Sequence, residues 1–214
     1  KNMKFQVLSS ELLSHLSSIS RVLSSKNAMP ILENFLFNIA SDKLTITASD
    51  GDTTMVTSVT LALAEGEGSL VVSPKNILEP LKELPQQIIT FDVDEGNLEI
   101  FVTYDTGKFN FIAGNANEYP VQKALDKEAQ KFTIPAQTLL NGIQSTIFAT
   151  ADDDLRPVMN GIFFDIREDQ LVLVASDSKK LVRLINNGVN PGFVSNFILP
   201  KKPANILKNV IAKD

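Results

Sequence analysis

The chain has 214 residues, 43% of them hydrophobic and 21% charged, with a formal net charge of −5. That is the make-up of an ordinary globular protein, and no apolar run reaches the ~20 residues that a membrane-spanning helix needs. Cysteine is absent, which excludes a disulfide framework, a thiolate nucleophile and cysteine-ligated zinc. A cytoplasmic location is the resulting expectation. Met3 is the expected native start, with Lys1 and Asn2 an appended remnant.

In chain order, the first element is a short alternating strand, Lys4-Phe5-Gln6-Val7. A helix over 9–26 follows, with Leu12, Leu13, Leu16, Ile19, Val22 and Leu23 at helical spacing and serines on the opposite face. Phe35–Ile39 and Leu44–Ala48, joined by Ser41-Asp42-Lys43, read as a hairpin. Met55–Leu63 reads as a further strand, leading through Gly66-Glu67-Gly68 to Ser69–Val72. A second helix, 73–84, opens on Ser73 as cap and Pro74 at its first position. Ile88–Val93, Asn97–Thr103 and Lys108–Ala113 alternate as three more strands.

The same order then starts again 127 residues on. Lys4-Phe5 recurs as Lys131-Phe132, Leu12-Leu13 as Leu139-Leu140, Pro30 as Pro157 and Ala48-Ser49-Asp50 as Ala175-Ser176-Asp177. At this one offset residues 4–50 give 13 identities in 47, where ordinary composition gives roughly 3 by chance. The echo continues at offset 126, with Pro74-Lys75 as Pro200-Lys201. A period this long lies outside the range of solenoid arrays and signifies two copies of a domain-sized unit. The second copy accordingly starts with a strand at 131–134, a helix at 135–150 with Pro135 in its first turn, a hairpin of Ile162–Ile166 and Leu171–Ala175, and a helix at 200–213. The fold class is α+β with mostly antiparallel sheets. The expected domains are 3–122 and 131–214, the second incomplete and without its last strands.

The net charge hides a sorting. The four expected helices carry eight Lys or Arg against three Asp or Glu, so the remainder sums to −10. Lys75 and Lys201 take matching places at the start of the second helix in each copy. Recurrent basic residues on the helices of an acidic protein point to a surface that meets phosphates, which positions a duplex without reading its bases.

Other candidates read as structural. His15, the only histidine, has no triad or metal partners in sequence and reads as a solvated helix residue. Asp50 and Asp177 are repeat-related and follow a strand, as a turn or cap would. Asp152-Asp153-Asp154 could serve a metal-dependent nuclease, which needs carboxylates gathered from separate elements; as a consecutive run they read as a solvated turn. Gly66-Glu67-Gly68 lacks the lysine and helix start of a phosphate loop. No metal or cofactor is expected.

Arg156-Pro157-Val158-Met159-Asn160-Gly161-Ile162-Phe163-Phe164, with Val174-Ala175-Ser176-Asp177, resembles the bacterial sliding-clamp family, the β subunits of DNA polymerase III. Lys26–Asn34 and Glu118-Tyr119-Pro120 resemble that family's first-domain signatures. The resemblance runs along the whole chain. It implies a tandem of clamp units with sheets outside and two helices per unit facing a DNA channel, three such units per subunit, and two subunits in a ring. It implies a non-enzymatic processivity factor, nucleoid-associated, that encircles duplex DNA and docks polymerase and clamp-loader subunits through short peptide motifs.

The same resemblance places Lys26, Arg156, Lys201 and Lys202 near the DNA, with Arg21, Lys75, Lys82 and Lys208 as further inner-face residues. It assigns Met159, Ser176, Ser178, Lys179, Lys180 and Leu181 to one wall of the peptide cleft. Where the family commonly has a glycine, an aromatic or histidine, and an arginine, this chain has Ser178, Lys179 and Lys180. The third unit is absent, so ring closure by this chain alone is not expected. Outside the resemblance, two other classes remain open: the nuclease above, and a scaffold module with no DNA role.

Overall fold

The computed structural model describes residues 2–25, 27–120, 127–152 and 155–212. The chain divides into two compact units, residues 1–122 and 123–214. Among the described residues no helix is long and apolar enough to cross a membrane.

Unit 1 opens with β1 (Asn2–Leu8), whose Met3, Phe5 and Val7 point inward by simple alternation. The strand runs into α1 (Ser9–Ile19), which buries Leu12, Leu16 and Ile19 as one stripe. A short 3₁₀ turn over Pro30–Glu33 precedes β2 (Phe35–Ala40), β3 (Lys43–Ser49), β4 (Thr54–Thr60), β5 (Leu63–Glu65) and β6 (Gly68–Val72). Then come α2 (Pro74–Glu83), β7 (Ile88–Asp94), β8 (Glu99–Tyr104), β9 (Gly107–Ile112) and the two-residue β10 (Gly114–Asn115).

These strands form two five-stranded sheets, ordered β5-β1-β7-β8-β9 and β10-β6-β2-β3-β4, with antiparallel neighbours throughout. Phe5 and Phe91 are registered partners on β1 and β7, and their rings stack at 4.6 Å. Each aromatic buried in this way contributes about 1.5–3 kcal/mol relative to exposure.

The sequence reads 55–63 as one strand, but the chain leaves the second sheet at Thr60 and joins the first at Leu63. At the crossing the Leu61 amide donates to the Asp42 carbonyl (2.7 Å) and the Ala62 amide to the Gln6 carbonyl (2.8 Å), one bond to each sheet. Leu61 is buried there, so its inward side chain continues the alternation that made the segment look unbroken.

The first helix is also shorter than its apolar stripe predicts. It ends at Ile19, and the amides of Val22 and Leu23 donate three residues back, to Ile19 and Ser20. The Ser20 hydroxyl bonds the Ser17 carbonyl at 3.0 Å. Serine hydroxyls compete for backbone groups and tighten or end a helix in this way, while Val22 stays in the core.

Unit 2 repeats the plan. It contains α3 (Ala136–Thr146), a 3₁₀ extension over Ile147–Ala149, a 3₁₀ turn over Pro157–Met159, β11 (Gly161–Arg167), β12 (Gln170–Ser176), β13 (Leu181–Asn186), β14 (Ser195–Pro200) and α4 (Lys201–Ile211). Its sheet order, β13-β12-β11-β14, is that of β4-β3-β2-β6 in unit 1. Ile143, Ile162, Phe164, Ile166, Leu171, Leu173 and Ala204 form the core between sheet and helices. Pro135 and Pro200 stand at the N-caps of α3 and α4, whereas Pro74 is inside α2 with Ser73 as its cap.

Residues 131–134, expected as a strand, are not one. In unit 1 the equivalent β1 is held by ladders to β5 and β7. Among the described residues no ladder of that kind holds 131–134. Phe132 and Ile134 still pack on the core, Phe132 edge-on to Phe193.

The units differ in how one apolar patch is treated. In unit 1, Tyr119 and Ala116 pack against Ile31, Leu32, Leu36 and Val71. The repeat equivalents in unit 2 are Val158, Met159, Phe163 and Ile198, and of these Val158, Phe163 and Ile198 are exposed.

Candidate nucleic-acid interface and peptide wall

In unit 1, α1 packs on α2 and against β3 and β4; in unit 2, α3 packs on α4 and against β12 and β13. Ile77 and Leu81 turn α2's apolar stripe inward, as Ala204 and Ile206 do for α4. Lys75 and Lys82 are seven residues apart on α2, and Lys201 and Lys208 are seven apart on α4. Seven residues are nearly two helical turns, so each pair shares a face with a separation of about 10 Å along the axis. Lys75, Lys82 and Lys202 are exposed, and Lys201 and Lys208 are half-buried. Arg21 is exposed in the turn after α1. Lys26 lies outside the described residues.

Observed helix bounds reduce the charge sorting. The four helices hold Lys75, Lys82, Lys201, Lys202 and Lys208 against Glu11, Glu79 and Glu83. Arg21 falls outside α1. The net of +2 comes from unit 2, where α4 carries three lysines and no acid. In unit 1 Glu79 and Glu83 offset Lys75 and Lys82 on α2, and Glu11 on α1 leaves that unit's helices at −1.

His15 corrects the sequence reading. It is half-buried, and its Nδ1 lies 2.5 Å from the Thr57 hydroxyl on β4. The ring is a structural tie between α1 and the sheet, as the packing of α1 on β4 requires.

The hairpin tips confirm the turn reading of both aspartates. Asp50 Oδ1 accepts from the amides of Asp52 (3.0 Å) and Thr53 (2.7 Å), and the Ser49 hydroxyl accepts from the Gly51 amide at 3.1 Å. In unit 2, Asp177 Oδ1 accepts from the amides of Lys179 (3.0 Å) and Lys180 (2.9 Å), and the Ser176 hydroxyl accepts from the Ser178 amide at 3.2 Å. Lys180 adds an ion pair to Asp177. That ammonium contact, with the Lys180 and Lys179 amides, holds the Asp177 carboxyl well below the usual carboxylate range.

This tip joins the turn of Pro157–Met159. Arg156, capping that turn, donates from Nη1 to the Ser178 hydroxyl at 3.0 Å. The Met159 carbonyl accepts from the Ala151 amide (2.8 Å), and the Asn160 carbonyl from the Lys201 amide (3.1 Å). One loop therefore carries Arg156 and Met159, touches Ser178 and braces the start of α4. Ser176, Lys179, Lys180 and an outward Leu181 lie on the hairpin beside it, the residues expected from the sequence to line a peptide wall.

Sequence reasoning missed a contact in the same place: Lys201 Nζ lies 2.5 Å from Asp152 Oδ1, across 49 residues. Asp152 is thus engaged by an ammonium group. Asp153 and Asp154 lie outside the described residues, and among the described residues no three His, Asp or Glu side chains converge as a metal site.

Comparison with known proteins gives the family of the chain. Residues 3–124 match the model of the DNA polymerase III beta subunit, N-terminal domain, and residues 133–214 that of the same subunit's central domain. The chain is similar to the beta sliding clamp of Halalkalibacterium halodurans, with 29% identity over 92% of this chain and 54% of that protein. It is 30% identical to the beta sliding clamp of Salmonella typhimurium, over 84% of this chain and 48% of that protein. Among solved structures, the DNA polymerase III beta subunit of Thermotoga maritima superposes with a TM-score of 0.87 at 26% identity, over 99% of this chain and 57% of that one. The sliding clamp of Bacillus subtilis superposes at 0.90 with 23% identity, over 98% and 57%, a likeness of fold. The chain spans about half the length of these relatives. None of these matches is a nuclease. By both domain matches, the chain belongs to the DNA polymerase III beta subunit family.

Proposed function

We propose that this chain is the DNA-facing and partner-docking part of a sliding clamp, a non-catalytic processivity factor that surrounds duplex DNA in the bacterial cytoplasm. The observation that carries this reading is the recurrence of one lysine pair. Lys75 with Lys82, and Lys201 with Lys208, occupy equivalent places on equivalent helices, each pair on one face. Arg21 in unit 1, and Arg156 and Lys202 in unit 2, add further basic groups within their own units, and Lys26 is a candidate by sequence alone. Duplex DNA carries a charge per ~1.7 Å of axis, so contacts of this kind bind any sequence and weaken as salt rises. No bond is made or broken by such a surface, and no cofactor is called for.

Met159, Ser176, Ser178, Lys179, Lys180 and Leu181 form one wall for a short peptide motif of a polymerase or clamp-loader subunit. Met159 and Leu181 offer apolar contact, and Lys179 offers charge. A homodimeric ring belongs to the full-length protein of this family, with this chain as two of its units (3–122 and 131–214).

The test is binding of this chain to duplexes of unrelated sequence at low salt. Changing Lys75, Lys82, Lys202 and Lys208 to Gln should weaken binding equally for all sequences and lower the salt slope by about one for each phosphate no longer neutralised. An unchanged affinity and slope would overturn the DNA reading. Leu181→Asp should abolish binding of polymerase tail peptides and leave DNA binding in place.

A further inference from the structure

The two copies do not present their equivalent lysines alike. Lys75 is exposed and makes no ion pair with a described residue. Lys201 is only 29% exposed and is paired at 2.5 Å with Asp152, which is itself 81% exposed. The residue at Asp152's place in unit 1, 127 positions earlier, is Ser25, which carries no charge.

We propose that Asp152 is a built-in competitor for the Lys201 ammonium, which sets how firmly unit 2 grips DNA. This rests on the DNA reading above. Both partners hang from one braced loop: the Ala151 amide is held by the Met159 carbonyl, and the Lys201 amide by the Asn160 carbonyl. Asp152 has a short side chain, and the Ala151 and Lys201 amides are each held by a backbone bond, which limits the freedom lost in forming the pair.

An exposed pair of this kind is worth at most about fivefold in an equilibrium constant. A phosphate can therefore displace the carboxylate, but the new pairing then gains less than at Lys75. Displacement also leaves a bare carboxylate beside the duplex, which attracts back a cation. The counterion released from the DNA is offset by that uptake, so Lys201 adds little to the salt slope while Asp152 is present. At this position unit 1 offers an open lysine, whereas unit 2 offers one that must first be freed.

The experiment measures binding of this chain to duplex DNA against salt. Asp152→Asn keeps the side-chain shape and removes the charge. It should tighten binding by about two- to fivefold and steepen the salt slope by about one. Lys201→Gln should cost little in the native background and the whole phosphate interaction in the Asp152→Asn background. Glu168→Gln, which removes the same charge at the exposed β11–β12 turn, should leave the slope unchanged.

Equal costs of Lys201→Gln in both backgrounds, or an Asp152→Asn slope equal to native, would overturn the competitor role. If that happens while Lys75→Gln with Lys82→Gln still weakens binding, only the competitor role is lost. If the Lys75 and Lys82 changes are also silent, the DNA reading is lost with it.

Discussion

Gly51 and Ser178 occupy the same position of the same turn in the two copies, with φ of 97° and 75°, yet only one of them is glycine. Left-handed backbone costs a residue with a Cβ about 1–2 kcal/mol. Ser178 bears that strain while its hydroxyl accepts the Arg156 guanidinium. Ser178→Gly and Ser178→Ala both remove the acceptor, but only the glycine also sheds the strain. The glycine variant is expected to be more stable than the alanine variant by about 1 kcal/mol, measured by denaturant unfolding. Equal stabilities would show that the turn relaxes around Ser178.

Asp177 makes this tip sensitive to acid. Its folded carboxyl titrates below the usual range, because of the Lys180 ammonium and then the Lys180 and Lys179 amides. An unfolded aspartate protonates near pH 3.9. A lowered folded value means that the tip's stability is complete above that pH and is lost as pH falls through the folded value. The amide resonances of Lys179 and Lys180 should stay flat from neutrality to about pH 5 and move only below about pH 4. A midpoint at or above the ordinary aspartate value would contradict the ion pair.

Gly161 has no room for a side chain. A Cβ there would lie 2.6 Å from both the Leu199 carbonyl oxygen and Ile198 Cγ2. Replacing glycine in a strand by alanine is ordinarily favourable. Here Gly161→Ala should destabilise by about 1–3 kcal/mol, since backbone on β14 must move. A melting temperature at or above that of the native chain would refute the close approach.

Tyr119 and the equivalent apolar positions of unit 2 give a paired prediction. Removing the ring with Tyr119→Ala uncovers Ile31, Leu32, Leu36 and Val71 and should cost about 3–5 kcal/mol in unit 1. In unit 2 the equivalent Val158, Phe163 and Ile198 are exposed, so Ile198→Thr should cost under about 1 kcal/mol. Its larger effect should be on self-association, read by sedimentation, because the exposed Val158, Phe163 and Ile198 form an apolar patch that attracts another chain. Equal costs at the two sites would mean that the units are covered alike.

What the sequence makes legible is whatever one strand or helix imposes on its own residues. Phe5, Phe37 and Phe164 announce inward faces through alternation, and Ser73-Pro74 announces a helix start. The repeat of Ala-Ser-Asp announces a turn built twice. What depends on a distant partner is hidden. Lys131–Ile134 has the pattern of a strand but no ladder, and His15 has a polar helical position but meets Thr57 across 42 residues. Strand β13, Leu181–Asn186, carries no clean alternation signal of its own and takes its extended form from pairing with β12. The basic candidates are legible as charges, but the Asp152 contact that distinguishes Lys201 from Lys75 lies 49 residues away. Serine competition for backbone carbonyls, invisible to an apolar count, shortens α1 and takes Arg21 out of the helical charge sum.

The crossing at Leu61 and Ala62 has a mechanical meaning. Two adjacent amides are bonded to opposite sheets, one to Asp42 and the next to Gln6. A pull that peels β4 from β3 is handed through a single peptide to β1 and from there to β7. The strands pass directly between the sheets once more, at Ala113 between β9 and β10. The two sheets of unit 1 therefore share tension at two stitches and should yield together under load.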